Sequence, residues 1–221
     1  MPLTPIKTPY LREQALIRLR DAIVSGLLAP GAPIVIDDLA EALGLSSMPV
    51  REAVKRLVAD ALIEELPRRA HRVAPLTRDS ALGILEVTET LMAKAYEIGV
   101  PALEDEDIAA MRAALEAAGR HAAAGDLIAV LADVHAMHEV VYRATGNPEF
   151  ERALSPLGPR FDRVLHIWYT DSILQAATSY RRDLVEALEA GRREDAVEIM
   201  RQAWRRFRDV IASRPDGEEE V

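Results

Sequence analysis

Three groups of residues carry types and spacings able to do chemistry. Arg51, Glu52 and Lys55 fall at the start of an apolar-periodic run that follows the short segment Leu45-Ser46-Ser47. Guanidinium and ammonium groups there suit phosphate oxygens and the acceptor edge of guanine. A second basic cluster, Arg68, Arg69, His71 and Arg72, follows Pro67. The third group lies in the last two thirds of the chain, where His135 and His138 share one helix face and Arg181 interrupts the apolar face formed by Leu184, Val185 and Leu188. Other chemistries lack their residues. With no cysteine there is neither a thiol nucleophile nor a thiolate metal site, and no Gly-rich phosphate loop and no paired carboxylates flanked by a base appear at helical spacing.

The elements that position these groups follow from periodicity. Leu11, Ala15, Leu19, Ala22 and Ile23 form one face of a first helix, which Gly26 ends. Pro30 and Gly31 mark a turn, Ile34 to Ile36 a short strand, and Asp37 and Asp38 are the expected caps of a helix through Leu43. Gly44 breaks it. A tight turn through Ser46 leads to a helix expected to be capped by Ser47 or Met48, with Pro49 near its first position and Val50, Ala53, Val54, Leu57 and Leu62 turned inward. Helix, tight turn, helix is the arrangement that lays a second helix in a major groove. Beyond Ile63 the arginine-rich segment ending at Val73 reads as a β-ribbon wing that can lie on phosphates or enter the minor groove.

From Thr77 onward only helical patterns occur. The expected helices run from Thr77 to Gly99, from Glu104 to Gly125, from Asp126 to Gly146, from Glu149 to Asp171 with a kink at Pro156 and Pro159, from Ile173 to Ala190, and from Glu194 to Ser213. The fold class is therefore mainly α, with a winged helix-turn-helix over residues 1–75, an antiparallel bundle of about six helices over 76–213, and a disordered acidic tail over 214–221. Charge divides the same way. The net charge of −9 argues at first sight against nucleic acid. Yet residues 1–78 carry 11 Lys/Arg against 9 Asp/Glu, and the remainder 16 against 27, so the positive balance sits in the first third. The start has no secretory-type apolar segment, and no later window is apolar enough for a membrane span. A soluble cytoplasmic protein with no membrane partner is expected.

Pro30, Gly31, Leu39, Ala40, Leu43, Gly44, Ser46, Pro49, Val50, Arg51, Glu52, Ala53, Leu57 and the closing Val73 resemble the DNA-reading domain of the GntR family of transcriptional regulators over about fifty residues. The resemblance implies operator DNA as a partner, binding as a homodimer, and DNA contacts from Ser46, Ser47, Pro49, Arg51, Glu52, Lys55, Arg68, Arg69, His71 and Arg72. Three positions depart from it. Ser47 stands where relatives commonly have arginine, and Ala61 and Ala70 stand where they have glycine. Alanine at 61 and 70 predicts turns that need no positive φ.

The bundle resembles the ligand-binding domain of the FadR-like branch through His138 before Gly146-Asn147-Pro148, the Ala187–Gly191 helix end, and Met200. That resemblance implies a small-molecule effector, and in many members a divalent metal held by an aspartate, a histidine four residues later and two further histidines. Carried over, those four positions hold Val134, His138, Arg181 and Ala203, so the metal set is largely lost and no cofactor is expected. Asp133 points about 140° away from His138 around the helix, and a rearranged site would have to use His135, His138 and His166. The pocket positions on the first bundle helix are Thr88 and Met92. The effector-binding set is thus Thr88, Met92, Val134, His135, His138, Arg181 and Ala203, with His121 left at the surface. A guanidinium among apolar residues needs an anion or several acceptors. Two answers are open, a protein carboxylate (Asp133, Glu139 or Asp162) or an effector carboxylate or phosphate, of which a small organic acid is favoured. The reading is a ligand-controlled regulator, a repressor. The competing reading is a helical-domain enzyme with an N-terminal interaction module.

Overall fold

The structure is a computed structural model that describes residues 9–168 and 171–213, with side chains from 11–168 and 179–213; the expected acidic tail lies outside the described residues. The chain divides into two compact units meeting at Leu76 and Thr77.

The first unit contains α1 (Pro9–Val24), β1 (Pro33–Ile34), α2 (Ile36–Leu43), α3 (Ser47–Ala59), β2 (Ile63–Leu66) and β3 (Ala70–Val73). Its core interleaves Ala15, Leu19 and Ile23 of α1 with Val50, Ala53, Val54 and Leu57 of α3, and is closed by Ile34, Leu62, Ile63 and Val73. The strands form an antiparallel sheet in the order β1-β3-β2, with Glu64 opposite Arg72 and Ile34 opposite His71. This is a winged helix-turn-helix.

Local details correct three expectations. Helix α2 is capped at Val35, with Asp37 and Asp38 inside its first turn, where they complement the helix dipole without capping. Helix α3 is capped at Ser46, which places Ser47 first and Pro49 third in the helix, still within the turn whose N–H groups have no helical acceptor. Ala61 does take a positive φ, 55°. There Ala61 donates to the Val58 carbonyl (3.0 Å) and Leu62 to the Leu57 carbonyl (2.9 Å), which is a Schellman ending with alanine in the position glycine favours. Leu62 must enter the core directly after α3, and that requirement overrides the side chain's preference. At the wing Ala70 is extended, as expected, but the left-handed conformation has moved to Arg68 (φ 64°) and Arg69 (φ 62°).

The second unit contains α4 (Arg78–Gly99), α5 (Asp105–Ala123), α6 (Leu127–Ala144), α7 (Glu149–Leu154), α8 (Gly158–Trp168), α9 (Asp171–Glu189) and α10 (Arg193–Ala212). Thr77 and Ser80 form a reciprocal capping box at the start of α4, and the Asp126 carboxylate accepts from the Ala129 N–H at the start of α6. The helix expected from Glu149 to Asp171 is broken rather than kinked. Pro156 lies in the break and Pro159 in the first turn of α8, so the two missing N–H groups and the ring clashes prevent continuous helix. Helix α4 is central and packs on α6, α7, α8 and α10. Its end approaches α6 closely, because a Cβ on Gly99 would meet the Val141 carbonyl oxygen at 2.3 Å. Among the described residues no helix is long and apolar enough to cross a membrane.

Candidate functional site

On α3 the buried residues Val50, Ala53, Val54 and Leu57 leave the opposite stripe, Met48, Arg51, Glu52 and Lys55, facing solvent. Two of these are already engaged. Lys55 Nζ lies 2.8 Å from Glu52 Oε1, and that hydrogen bond and charge hold the Glu52 carboxyl below its ordinary range. Ser47 is occupied as well, its hydroxyl donating to Asp37 Oδ1 on α2 at 2.7 Å. Arg51 makes no hydrogen bond or ion pair with the described residues, so its full fork of donors is available. Ser46 and Pro49 flank the stripe at the helix entrance.

The wing separates its basic residues by role. Arg72 is paired across the strands with Glu64, through Nε at 2.9 Å and Nη2 at 2.8 Å. His71 is half-buried on β3. Arg68 and Arg69 form the exposed tip and make no ion pair with the described residues. Two arginines at the end of a short rigid ribbon suit contact with phosphates.

In the second unit, α4, α6, α7, α8, α9 and α10 line a cavity of about 80 Å³. Thr88, Met92, Val134, His135, His138 and Arg181 all line it. Ala203 is buried but does not; its neighbour Trp204 lines the wall instead. His166 lies outside the lining and is half-buried on α8. The remaining wall comes from residues that periodicity did not single out, chiefly Tyr142, Phe161 and Tyr180. Phe161, Tyr180 and Trp204 pack with Phe207 in one aromatic cluster, Phe207 meeting the other three edge-to-face, while Tyr142 stacks on His138; this grouping depends on tertiary packing.

The polar groups of this cavity are ordered by hydrogen bonds. Tyr96 Oη lies 2.6 Å from His138 Nδ1, and both residues are buried. The phenol makes no other hydrogen bond to the described residues, so it satisfies its proton only by donating to Nδ1. His138 is then the tautomer protonated on Nε2. Burial, and after it the charge of Arg181, push the His138 pKa well below the ordinary value, so the ring stays neutral. Burial also disfavours charge on His135, but the Asp162 carboxylate at 3.0 Å, with Glu139 beyond it, outweighs this and raises the His135 pKa. The fit is close, since a Cβ on Gly158 would meet the His135 Cε1 at 2.7 Å. Asp162 thus bonds His135, Asp133 bonds His121 at 2.7 Å, and Glu139 is exposed. The Arg181 guanidinium carbon sits 4.8 Å from the centroid of the Tyr180 ring.

These residues do not fit a metal centre. No group of three or more His, Asp or Glu among the described residues is arranged to hold an ion. His138 offers a cavity N–H rather than a lone pair, and a permanent cation, Arg181, shares the lining.

A winged helix-turn-helix followed in the chain by a helical bundle is the architecture of DNA-binding transcriptional regulators, and the family comparisons agree. The description "Bacterial regulatory proteins, gntR family" matches residues 11–73, and "FCD domain" matches residues 83–206. The chain belongs to the gntR family, with an FCD domain as its second unit. It is 30% identical over 178 residues to the probable D-xylose utilization operon transcriptional repressor of Paenarthrobacter nicotinovorans, covering 79% of this chain and 78% of that protein. It is 27% identical over 151 residues to the HTH-type transcriptional regulator McbR of Escherichia coli, covering 68% of each. Two solved structures share the fold. Escherichia coli McbR/YncC superposes with a TM-score of 0.75 at 24% identity, covering 91% of this chain and 97% of that one. A GntR regulator from Rhodococcus sp. RHA1 superposes with a TM-score of 0.77 at 20% identity, covering 92% and 99%.

Proposed function

We propose that this regulator is a homodimeric repressor released from its operator by a small organic acid, which Arg181 binds without the help of a metal ion. The carrying observation is the chemistry of the cavity lining. Arg181 supplies a planar cation, His138 supplies an Nε2–H, and Met92, Val134 and Phe161 supply apolar wall. The Thr88 hydroxyl gives its proton to the Ile84 carbonyl (2.7 Å) and Asp162 is paired with His135, while the other two carboxylates of the lining, Glu139 and Glu151, are solvent-exposed. Such a site favours a carboxylate over an amine or an uncharged sugar. Size narrows the choice further: one water needs roughly 10–15 Å³ and drug-sized ligands need roughly 300 Å³ or more, so about 80 Å³ suits an acid of only a few carbons.

In the reader, α3 enters the major groove with Arg51 at a base edge, while Arg68 and Arg69 hold the phosphates at the wing. A two-fold dimer doubles these few contacts on a palindromic site. The name of the Paenarthrobacter nicotinovorans relative, a repressor, supports the direction of control. The test is calorimetric titration with a panel of two- to five-carbon carboxylates in the presence of chelator. At least one acid should bind saturably to the native protein, and Arg181→Met, which keeps the volume and removes the charge, should weaken it about tenfold or more. Equal affinity in the two proteins, or binding that requires added metal, would refute the assignment.

A further inference from the structure

Met48 is the exposed residue on α3 whose position polar chemistry does not explain. It lies in the first turn, 69% exposed, on the stripe that carries Arg51, Glu52 and Lys55. The groups around it are largely committed. Ser47 is hydrogen-bonded to Asp37, Glu52 and Lys55 are hydrogen-bonded to each other, and Pro49 has no N–H to offer. Two side chains on the stripe keep free ends, the Arg51 guanidinium and the Met48 thioether. In a major groove these match two different features: arginine takes the paired acceptors of guanine, and the apolar feature available to a hydrophobic side chain is the 5-methyl group of thymine.

We propose that Met48 reads a thymine methyl group, next to a guanine read by Arg51, and so makes the operator dependent on that methyl. Met48 and Arg51 are three residues apart, about 4.5 Å along the helix, while successive base pairs are about 3.4 Å apart. The two side chains therefore address neighbouring base pairs. Methionine suits the task, because its unbranched, polarizable chain adapts to a small apolar target. Its high exposure means that most of its apolar surface is still available for burial on docking. The inference rests on α3 being the groove-reading helix, as proposed above.

The experiment uses the full chain. Its preferred site is selected from randomised duplexes, and each thymine of that site is then replaced in turn by deoxyuridine, which removes only the methyl group. One replacement at a fixed place in the site should weaken the native protein about three- to tenfold. Met48→Ala, at an exposed position that should not affect folding, should bind thymine and deoxyuridine versions alike, and should lose the thymine preference when selection is repeated. Indifference of the native protein to every replacement, or equal sensitivity in Met48→Ala, overturns the proposal for Met48. A native chain that selects no site at all would instead overturn the groove-reading role of α3, and the proposal with it.

Discussion

Replacing Tyr96 by phenylalanine probes the cavity at its most constrained point. The phenol donates to His138 Nδ1 at 2.6 Å, with Tyr96 fully buried and His138 6% exposed. The substitution keeps the ring and removes one oxygen, so the packing loss is small. The main cost is the imidazole lone pair left without a donor in the interior, worth about 1–3 kcal/mol. Both tryptophans of the chain, Trp168 and Trp204, belong to the second unit, so urea unfolding followed by their fluorescence reports the domain that holds the pair. The midpoint should fall by an amount corresponding to that cost, with the slope unchanged. Nitrogen-15 spectra of labelled histidine supply the second reading. Native His138 should show a proton on Nε2 and none on Nδ1, and should stay neutral well below pH 6.5 because burial and Arg181 both oppose its charge. In Tyr96→Phe the preference for that tautomer should be lost. A native His138 that carries its proton on Nδ1 or titrates near pH 6.5, or a variant that costs less than about 0.5 kcal/mol, would rule out the Tyr96–His138 hydrogen bond as described.

Ala61→Gly should stabilise the first unit by about 0.5–1 kcal/mol, since relief of the left-handed strain exceeds the added freedom of the unfolded chain; hydrogen exchange of α3 amides measures it, and destabilisation would contradict the Schellman reading. Arg51→Ala should cost about 1–3 kcal/mol on the selected site and little on random DNA, while Arg69→Ala should weaken both alike and lower the salt slope by about one. Equal losses on both DNAs for Arg51→Ala would remove it from base reading. The His135 pKa is raised in the folded protein, so its contribution to stability is complete below its unfolded value of about 6.5 and is lost as pH rises through the folded value. The stability gap between the native protein and His135→Gln should therefore shrink from pH 6 to pH 8 in urea titrations, and a constant gap would count against the His135–Asp162 pair.

Much of the reader was legible because its signals are local. Gly44, Pro49 and the apolar spacing of Val50, Ala53, Val54 and Leu57 place the turn and the inward face of α3 without tertiary information. Cap positions were less so. Asp37 and Asp38 have the chemistry of caps, but acids are also favourable one turn further in, and the structure uses them there. Ala61 shows the converse, a backbone conformation imposed by the need to bury Leu62. In the bundle, a period of 3.6 brings Val134 and His138 to one face of α6. It does not say which face of α10 meets them. That depends on how the helices cross, which is why Trp204 lines the cavity and Ala203 does not. Nor could periodicity assign the pairings His135–Asp162 and His121–Asp133, which join residues 27 and 12 positions apart.

In the proposed function, an anionic ligand held by Arg181, with no metal, controls release from DNA. The most direct test follows the selected operator duplex by fluorescence anisotropy with chelator present throughout, titrating the small carboxylate that binds most tightly to the native protein. Ligand can shift the DNA equilibrium only through different affinities for the free and DNA-bound forms. Native protein should release the duplex in proportion to ligand occupancy, and Arg181→Met should bind the same duplex with unchanged affinity yet not release it at those concentrations. Release that disappears with chelator and returns with zinc, nickel or manganese, or undiminished release from Arg181→Met, would contradict metal-free control through Arg181.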